Sequence, residues 1–207
     1  MTVRLPDLYL IRHGQTAWND QGRLQGRLDS PLTDLGHAQA AALRSLVCGL
    51  PAQRLSSPMG RAVQTARILF GDNSFATDVR LAEIDVGDFS GRLLADLRAE
   101  MPQAFVGPPH AWYDRTPNGE RLAGLAGRLS EFLAELPGPA IIVTHGMALA
   151  MLCSLATGQP LHRVHAVCQR QDVLHVVRWG SHRLVAPRDA GAGQDAPSAL
   201  EGRPAGG

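Results

Sequence analysis

The 207-residue chain contains no lysine; all twenty of its basic residues are arginine. A P-loop lysine, a Schiff-base lysine, a kinase β3 lysine and a Ser-x-x-Lys nucleophile pair are thereby excluded, since each needs an amine. Any anion the protein grips must be held by guanidinium groups, imidazoles or backbone amides. Cysteine is scarce too. Cys48, Cys153 and Cys168 form an odd, widely spaced set without a Cys-x-x-Cys pair, which supports neither a disulfide framework nor a thioredoxin motif. Buried free thiols in a reducing compartment are expected. There is no run of about eighteen apolar residues, so no membrane-spanning helix is expected. The apolar stretch near the N-terminus is too short and too interrupted for a signal peptide, and a cytoplasmic location is expected. Neither sign of charge dominates. Twenty basic and nineteen acidic residues leave +1, with no basic field for nucleic acid. What is present is 44% hydrophobic residues, enough to bury the core of one large domain.

Apolar runs and helical periodicities alternate along the chain. Strands are expected at 8–11, 54–55 and 140–144, with a further extended piece at 78–81 and a closing antiparallel pair at 173–177 and 184–185. Helices are expected at 34–50, capped by Thr33, and at 59–70, 93–100, 120–136 and 147–157. The segment 92–118 is irregular and is expected to cover the active site. One domain over 1–186 results, followed by a flexible Ala/Gly/Pro/Asp-rich tail at 187–207. The alternation implies an α/β fold, a three-layer α/β/α sandwich with a mainly parallel central sheet.

Two of the strands run into the same kind of turn: Arg12-His13-Gly14 after the first, Thr144-His145-Gly146 after the strand at 140–144. Parallel neighbours would bring both histidines to one sheet edge, where α/β proteins build their sites. A neutral imidazole at His13 beside the Arg12 cation can attack phosphorus and carry the phosphoryl group covalently. His145 would add a polar donor and Arg61 a second guanidinium, a clamp for the equatorial oxygens of phosphoryl transfer. The leaving alkoxide needs a proton. Glu83 is the leading donor, with Asp85 and Asp88 as nearby alternatives.

These residues carry a family resemblance. Arg12-His13-Gly14-Gln15-Thr16 with Asn19 resembles the signature of the histidine phosphatase (phosphoglycerate mutase-like) superfamily. The segment from Leu24 to Thr33, the block from Ser56 to Ala66, Leu81-Ala82-Glu83 through Gly87, Asn118-Gly119-Glu120 and Thr144-His145-Gly146 follow in the family's order. The resemblance implies a phosphoglycerate mutase-like fold and His13 as the phosphorylated nucleophile. It implies a phosphate pocket of Arg12, Arg61 and His145 with Gly146, Glu83 as proton donor, and Asn19 and Gln15 as secondary contacts. It also implies activity without a metal or other cofactor. In one departure, Ser90 stands where many relatives have an acidic residue. Asn118-Gly119-Glu120 is similar to a block of small phosphatases related to α-ribazole phosphatase. The missing lysine, and the isolated Arg92, Arg98 and Arg115, count against the mutase branch.

The expected activity is therefore metal-independent hydrolysis of a small phosphorylated metabolite. A cofactor-dependent phosphoglycerate mutase and a non-catalytic phospholigand-binding protein are the alternatives. A zinc reading of His162, His165 and Cys168, with His175 nearby, is disfavoured by spacing. His37 reads as a helix-surface residue. Trp112 and Tyr113 either line the substrate entrance or cover the core.

Overall fold

The computed structural model describes residues 5–187, so the tail expected at 187–207 lies outside the described residues beyond Pro187. Among them Leu8–Arg12 (β1), Gln53–Ser56 (β2), Ala76–Thr77 (β3), Ala140–Thr144 (β4), Leu174–Arg178 (β5) and Ser181–Val185 (β6) form one sheet. Its order is β3-β2-β4-β1-β5-β6. The pairs β3–β2, β2–β4 and β4–β1 are parallel, and β1–β5 and β5–β6 are antiparallel. The mainly parallel sheet expected from sequence is present.

Side chains alternate across a strand, and here the two faces feed two cores. Tyr9, Ile11, Ile141 and Val143 pack with Leu43 and Val47 of Asp34–Val47 (with Ala17–Asp20 as α1, this is α2) and with Ala66 and Leu69 of Gly60–Phe70 (α3). Leu8, Leu10, Ala140 and Ile142 face the other way. They meet Leu125 and Leu129 of Arg121–Ala134 (with Leu94–Glu100 as α4, this is α5) and Leu149 and Leu152 of Gly146–Thr157 (α6). The result is three layers, helix–sheet–helix.

Local chemistry sets the helix ends. The Thr33 hydroxyl accepts from Gly36 N at 3.1 Å and opens α2, as expected of an N-cap. That helix stops at Val47 rather than near residue 50. The short α1 escaped the sequence reading; Thr16 and Asn19 close it with a reciprocal capping box. The piece expected to be extended at 78–81 is a 3₁₀ turn over Val79–Leu81, because the Asp78 carboxylate accepts from Arg80 N and curls the chain. Of the three thiols, only Cys153 is buried; Cys48 is exposed at the end of α2 and Cys168 is intermediate.

Segment 92–118 folds as α4 followed by 3₁₀ turns at Pro102–Phe105 and Ala111–Arg115. Trp112 stacks against Tyr113 and packs near Phe89 and Phe105 in the core. No helix among the described residues is long and apolar enough to cross a membrane.

Candidate active site

Register brings the two histidines together. Arg12 of β1 pairs with Thr144 of β4, and His13 N continues the ladder by donating to Thr144 O at 2.9 Å. One residue beyond each strand, the His13 and His145 rings lie 5.2 Å apart. The chain can turn sharply after His13 because Gly14 crosses the start of α2 without a side chain; a Cβ there would lie 2.3 Å from Gly36 O.

The tautomer of His13 is fixed by its neighbours. Its Nδ1 lies 2.8 Å from Gly14 O, an acceptor only, so Nδ1 carries the proton and donates. The lone pair of the neutral ring therefore sits on Nε2, which accepts from Arg61 Nε at 3.2 Å. The ring is buried, and its pKa is held well below 6.5. Burial is the main cause, followed by the positive charges of Arg61 and then Arg12. The distant-in-sequence arginine thus acts more strongly than the adjacent one.

Arg61, in the first turn of α3, is 1% exposed and is held from several sides. Its Nη1 donates to Leu28 O at 2.6 Å and pairs with the Asp29 carboxylate at 3.1 Å, and Nη2 donates to Gly26 O at 3.0 Å. The loop between α1 and α2 is therefore the cradle of this guanidinium. Arg12 Nη1 donates to Gln169 O at 2.6 Å, while its buried Nε has no partner among the described residues. Burial lowers the pKa of both arginines, and the Glu83 charge opposes that effect.

His145 is fully buried between sheet and helix. Its Nε2 lies 2.7 Å from Ser57 Oγ, and its buried Nδ1 has no partner among the described residues. Burial, then Arg61, His13 and Arg12, hold its pKa well below 6.5. The neutral ring accepts the Ser57 O–H at Nε2 in the tautomer that leaves Nδ1–H as a donor. Ser57 Oγ can meanwhile accept from Met59 N, at 3.3 Å.

Glu83 sits where α6 begins. Its carboxylate accepts from Ile84 N at 2.9 Å and from Met147 N and Ala148 N at 3.1 Å, so the free N–H groups of a helix N-terminus fix it. The loop beneath is held by Arg128, which donates to Glu83 O at 3.1 Å and is itself paired with Glu120. That gives the Asn118-Gly119-Glu120 block a structural task. Asp85 and Asp88 are turned elsewhere: Asp85 Oδ1 accepts from Gly87 N and Asp88 accepts from Asn118.

A cavity of about 110 Å³ opens at this edge, with Arg12, His13, Arg61, Glu83, Asn19 and Gly146 on its wall. The structure thus gathers most of the expected residues. His145 is not on that wall; its ring stands behind His13, 5.2 Å from it, with Nε2 on Ser57 Oγ. Gln15 does not join them. Its side chain accepts from Thr33 Oγ1 at 2.8 Å at the start of α2, which turns it away from the cavity. Of segment 92–118 only Tyr113 reaches the wall, so its cover over the site is one ring rather than a lid. Burial and the nearby Glu83 charge raise the pKa of that phenol. Arg92 instead pairs with Glu100, and Arg115 binds Ala104 O and Val106 O.

Sequence reasoning passed over Asp29 and Ser57, and over Arg23 and Gln169 on the cavity wall. Asp29 and Ser57 lie inside matched blocks, and their polarity beside a buried arginine or histidine was the available signal. Gln169, on the cavity wall, follows an aperiodic segment that offers none. A Cβ on Gly146 would lie 2.9 Å from Gln169 Oε1, the movable end of that side chain, and 3.4 Å from Arg12 Cζ, so a larger residue there would displace Gln169.

Two buried imidazoles, the buried guanidinium of Arg61 and the half-buried one of Arg12 meet at one sheet edge and make an anion site of the phosphate-handling kind. The chain belongs to the histidine phosphatase superfamily (branch 1), whose family model matches residues 8–188. It is 36% identical over 167 residues to a Yersinia pestis protein named "Probable phosphoglycerate mutase GpmB", covering 75% of this chain and 76% of that one. Among solved structures, the α-ribazole phosphatase from Shigella flexneri superposes with a TM-score of 0.74 at 26% identity, over 92% of this chain and 100% of that chain. A mycobacterial glucosyl-3-phosphoglycerate phosphatase gives 0.70 at 26% identity, over 87% and 98%.

Proposed function

We propose that the protein is a phosphomonoesterase that hydrolyses a small phosphorylated metabolite through a phosphohistidine on His13, without a catalytic metal. One observation carries the reading: His13 presents the lone pair of Nε2, with Nδ1 committed to Gly14 O, on a wall shared with Arg12, Arg61 and Glu83. Two buried donors without partners among the described residues, Arg12 Nε and His145 Nδ1, support it. A buried polar atom left unpaired costs about 1–3 kcal/mol, and such atoms persist where function uses them. A phosphoryl group in the cavity would satisfy Arg12 Nε, and one carried on His13 is the candidate partner for His145 Nδ1 behind it.

In the first step Nε2 of His13 attacks phosphorus, the P–O bond to the alcohol breaks, and the leaving oxygen takes a proton from the Glu83 carboxyl. In the second, the Glu83 carboxylate takes a proton from water, the water oxygen attacks phosphorus, and the N–P bond breaks to release phosphate. Arg12 and Arg61 neutralise the charge on the non-bridging oxygens throughout, and the neutral His145 is assigned to donate a hydrogen bond from Nδ1. Asn19 and Gly146 border the same cavity and are assigned to binding.

The test is hydrolysis of a chromogenic phosphomonoester in excess EDTA by the protein and by His13→Ala. The reading expects turnover lost in the variant; undiminished turnover there contradicts it. The mutase named among the relatives supports a second reading. A mutase would interconvert phosphoglycerates and depend on a bisphosphorylated primer. The absence of lysine and the engagement of Arg92 and Arg115 away from the cavity favour hydrolysis.

A further inference from the structure

Further along α6, about 10 Å from Gly146 at 1.5 Å per residue, lies a cluster that the phosphate site does not use. Cys153 on α6, His175 on β5 and His182 on β6 place one ligand atom each within 4.8 Å of the others. The register explains the meeting. His182 pairs with Val177, two residues from His175, so both imidazoles stand on the face that carries Val177 against α6. The nitrogens His175 Nδ1 and His182 Nε2 are 3.0 Å apart with the rings nearly parallel at 12°. Cys153 and His175 are buried. His175 Nε2 and Ser154 Oγ are buried without partners among the described residues. A cavity of about 270 Å³ adjoins the cluster, with Cys153, Ser154 and His182 on its wall.

We propose that Cys153, His175 and His182 bind one transition-metal ion of the Zn²⁺ class, with water or the Ser154 hydroxyl as the fourth ligand. One thiolate and two imidazoles form a mixed S/N donor set that suits Zn²⁺. Mg²⁺ and Ca²⁺ take oxygen ligands and are disfavoured. Tetrahedral Zn–N bonds of about 2.0–2.1 Å place two nitrogens about 3.3 Å apart, close to the separation present. The sulfur and nitrogens draw in by about 1 Å to complete the sphere. On binding, the Cys153 thiol gives its proton to solvent as the S–metal bond forms, and each imidazole contributes a lone pair. The ion would clamp α6, whose first turn holds Glu83, to the β5–β6 hairpin. It takes no part in transfer at His13. This is not the set considered from sequence: His162 and His165 are exposed and Cys168 is not in the cluster.

The full chain, stripped by a chelator and then dialysed free of it, is titrated with Zn²⁺, and with Co²⁺ as a spectroscopic probe. One equivalent is expected, with a thiolate-to-cobalt charge-transfer band and a higher melting temperature at saturating metal. Cys153→Ser removes the band. His182→Gln, at a half-buried strand position that tolerates polarity, weakens binding about 10-fold or more. No binding by the unmodified chain, or the same spectrum and affinity in both variants, overturns the site and leaves only a histidine pair beside a thiol. These outcomes are independent of phosphomonoester turnover, so failure here and failure of the phosphatase reading are distinguishable.

Discussion

The Nε–H of Arg61 donates to Nε2 of His13 across 3.2 Å. One guanidinium thus lowers the basicity of the imidazole and also caps the lone pair that would attack phosphorus. For transfer to occur, that N–H must turn from nitrogen to a phosphoryl oxygen. The rest of the planar group is anchored on Leu28 O, Gly26 O and Asp29, so that turn must shift those bonds or be made by the His13 ring.

The pH profile follows from this pair. The pKa of His13 is depressed well below 6.5, so the neutral nucleophile persists as pH falls through 6.5 and is lost only as pH reaches the depressed value. The acid limb of kcat/KM should lie below pH 6.5. Arg61→Gln removes a positive charge, raises the His13 pKa and moves the limb to higher pH. It also lowers kcat/KM at pH 7 by about 10²–10³ for a lost oxyanion donor. A limb that stays in place would show that Arg61 does not set the nucleophile's charge state.

Asp29 acts through Arg61. Its Oδ1 accepts from both Nη1 and the backbone N of Arg61. Asp29→Asn should keep the fold and lower kcat/KM about 10-fold, with part of the loss in KM, as the guanidinium loses its orientation. Steady-state kinetics with both parameters resolved checks this. Wild-type values in Asp29→Asn would leave the carboxylate without a role in positioning.

The block from Ser56 to Ala66 shows how far the sequence reaches. Matching turns after β1 and β4 were legible because an apolar run ending in His-Gly has a pattern in one dimension, and parallel pairing then placed the rings together. Arg61 was legible as a helical residue aimed at the same edge. Its cradle was not, since Gly26 O, Leu28 O and Asp29 converge through loop conformation, which has no period. Gln15 shows the opposite failure. It stands within the signature, yet the cap of α2 claims its side chain. The metal cluster joins residues 22 and 29 positions apart, and only strand register reveals that they share a face.

Proton donation by Glu83 predicts a dependence on the leaving group. Alkoxides need the proton and nitrophenolate needs it little. Glu83→Gln should lower kcat/KM for an alkyl phosphate by about 10²–10⁴, and by markedly less for nitrophenyl phosphate. Equal losses on both esters would move Glu83 from acid to scaffold, a role its three backbone contacts could also serve.

Stability should be sensitive where the turn after β1 crosses α2. A Cβ on Gly36 would lie 2.1 Å from Gln15 O and 2.8 Å from Gln15 N, backbone atoms that cannot rotate aside. Gly36→Ala should destabilise the fold by about 1–3 kcal/mol, as overpacking does, and loosen the His13 turn. Urea denaturation measures the first effect. Gly127→Ala, where nothing lies within 4 Å of the added atom, is the control and should be neutral or stabilising within its helix.

The central claim is the covalent bond between phosphorus and His13, and rapid-quench trapping tests it most directly. Protein mixed with a phosphomonoester for milliseconds, quenched in alkali and digested, should yield a peptide containing residue 13 with one phosphoryl group that is stable to base and lost in acid. Burst-phase release of the alcohol should equal one per site. The bond and the burst should both vanish in His13→Ala. Turnover at full rate with no phosphoryl group on His13, or with the group on another residue, would contradict the account.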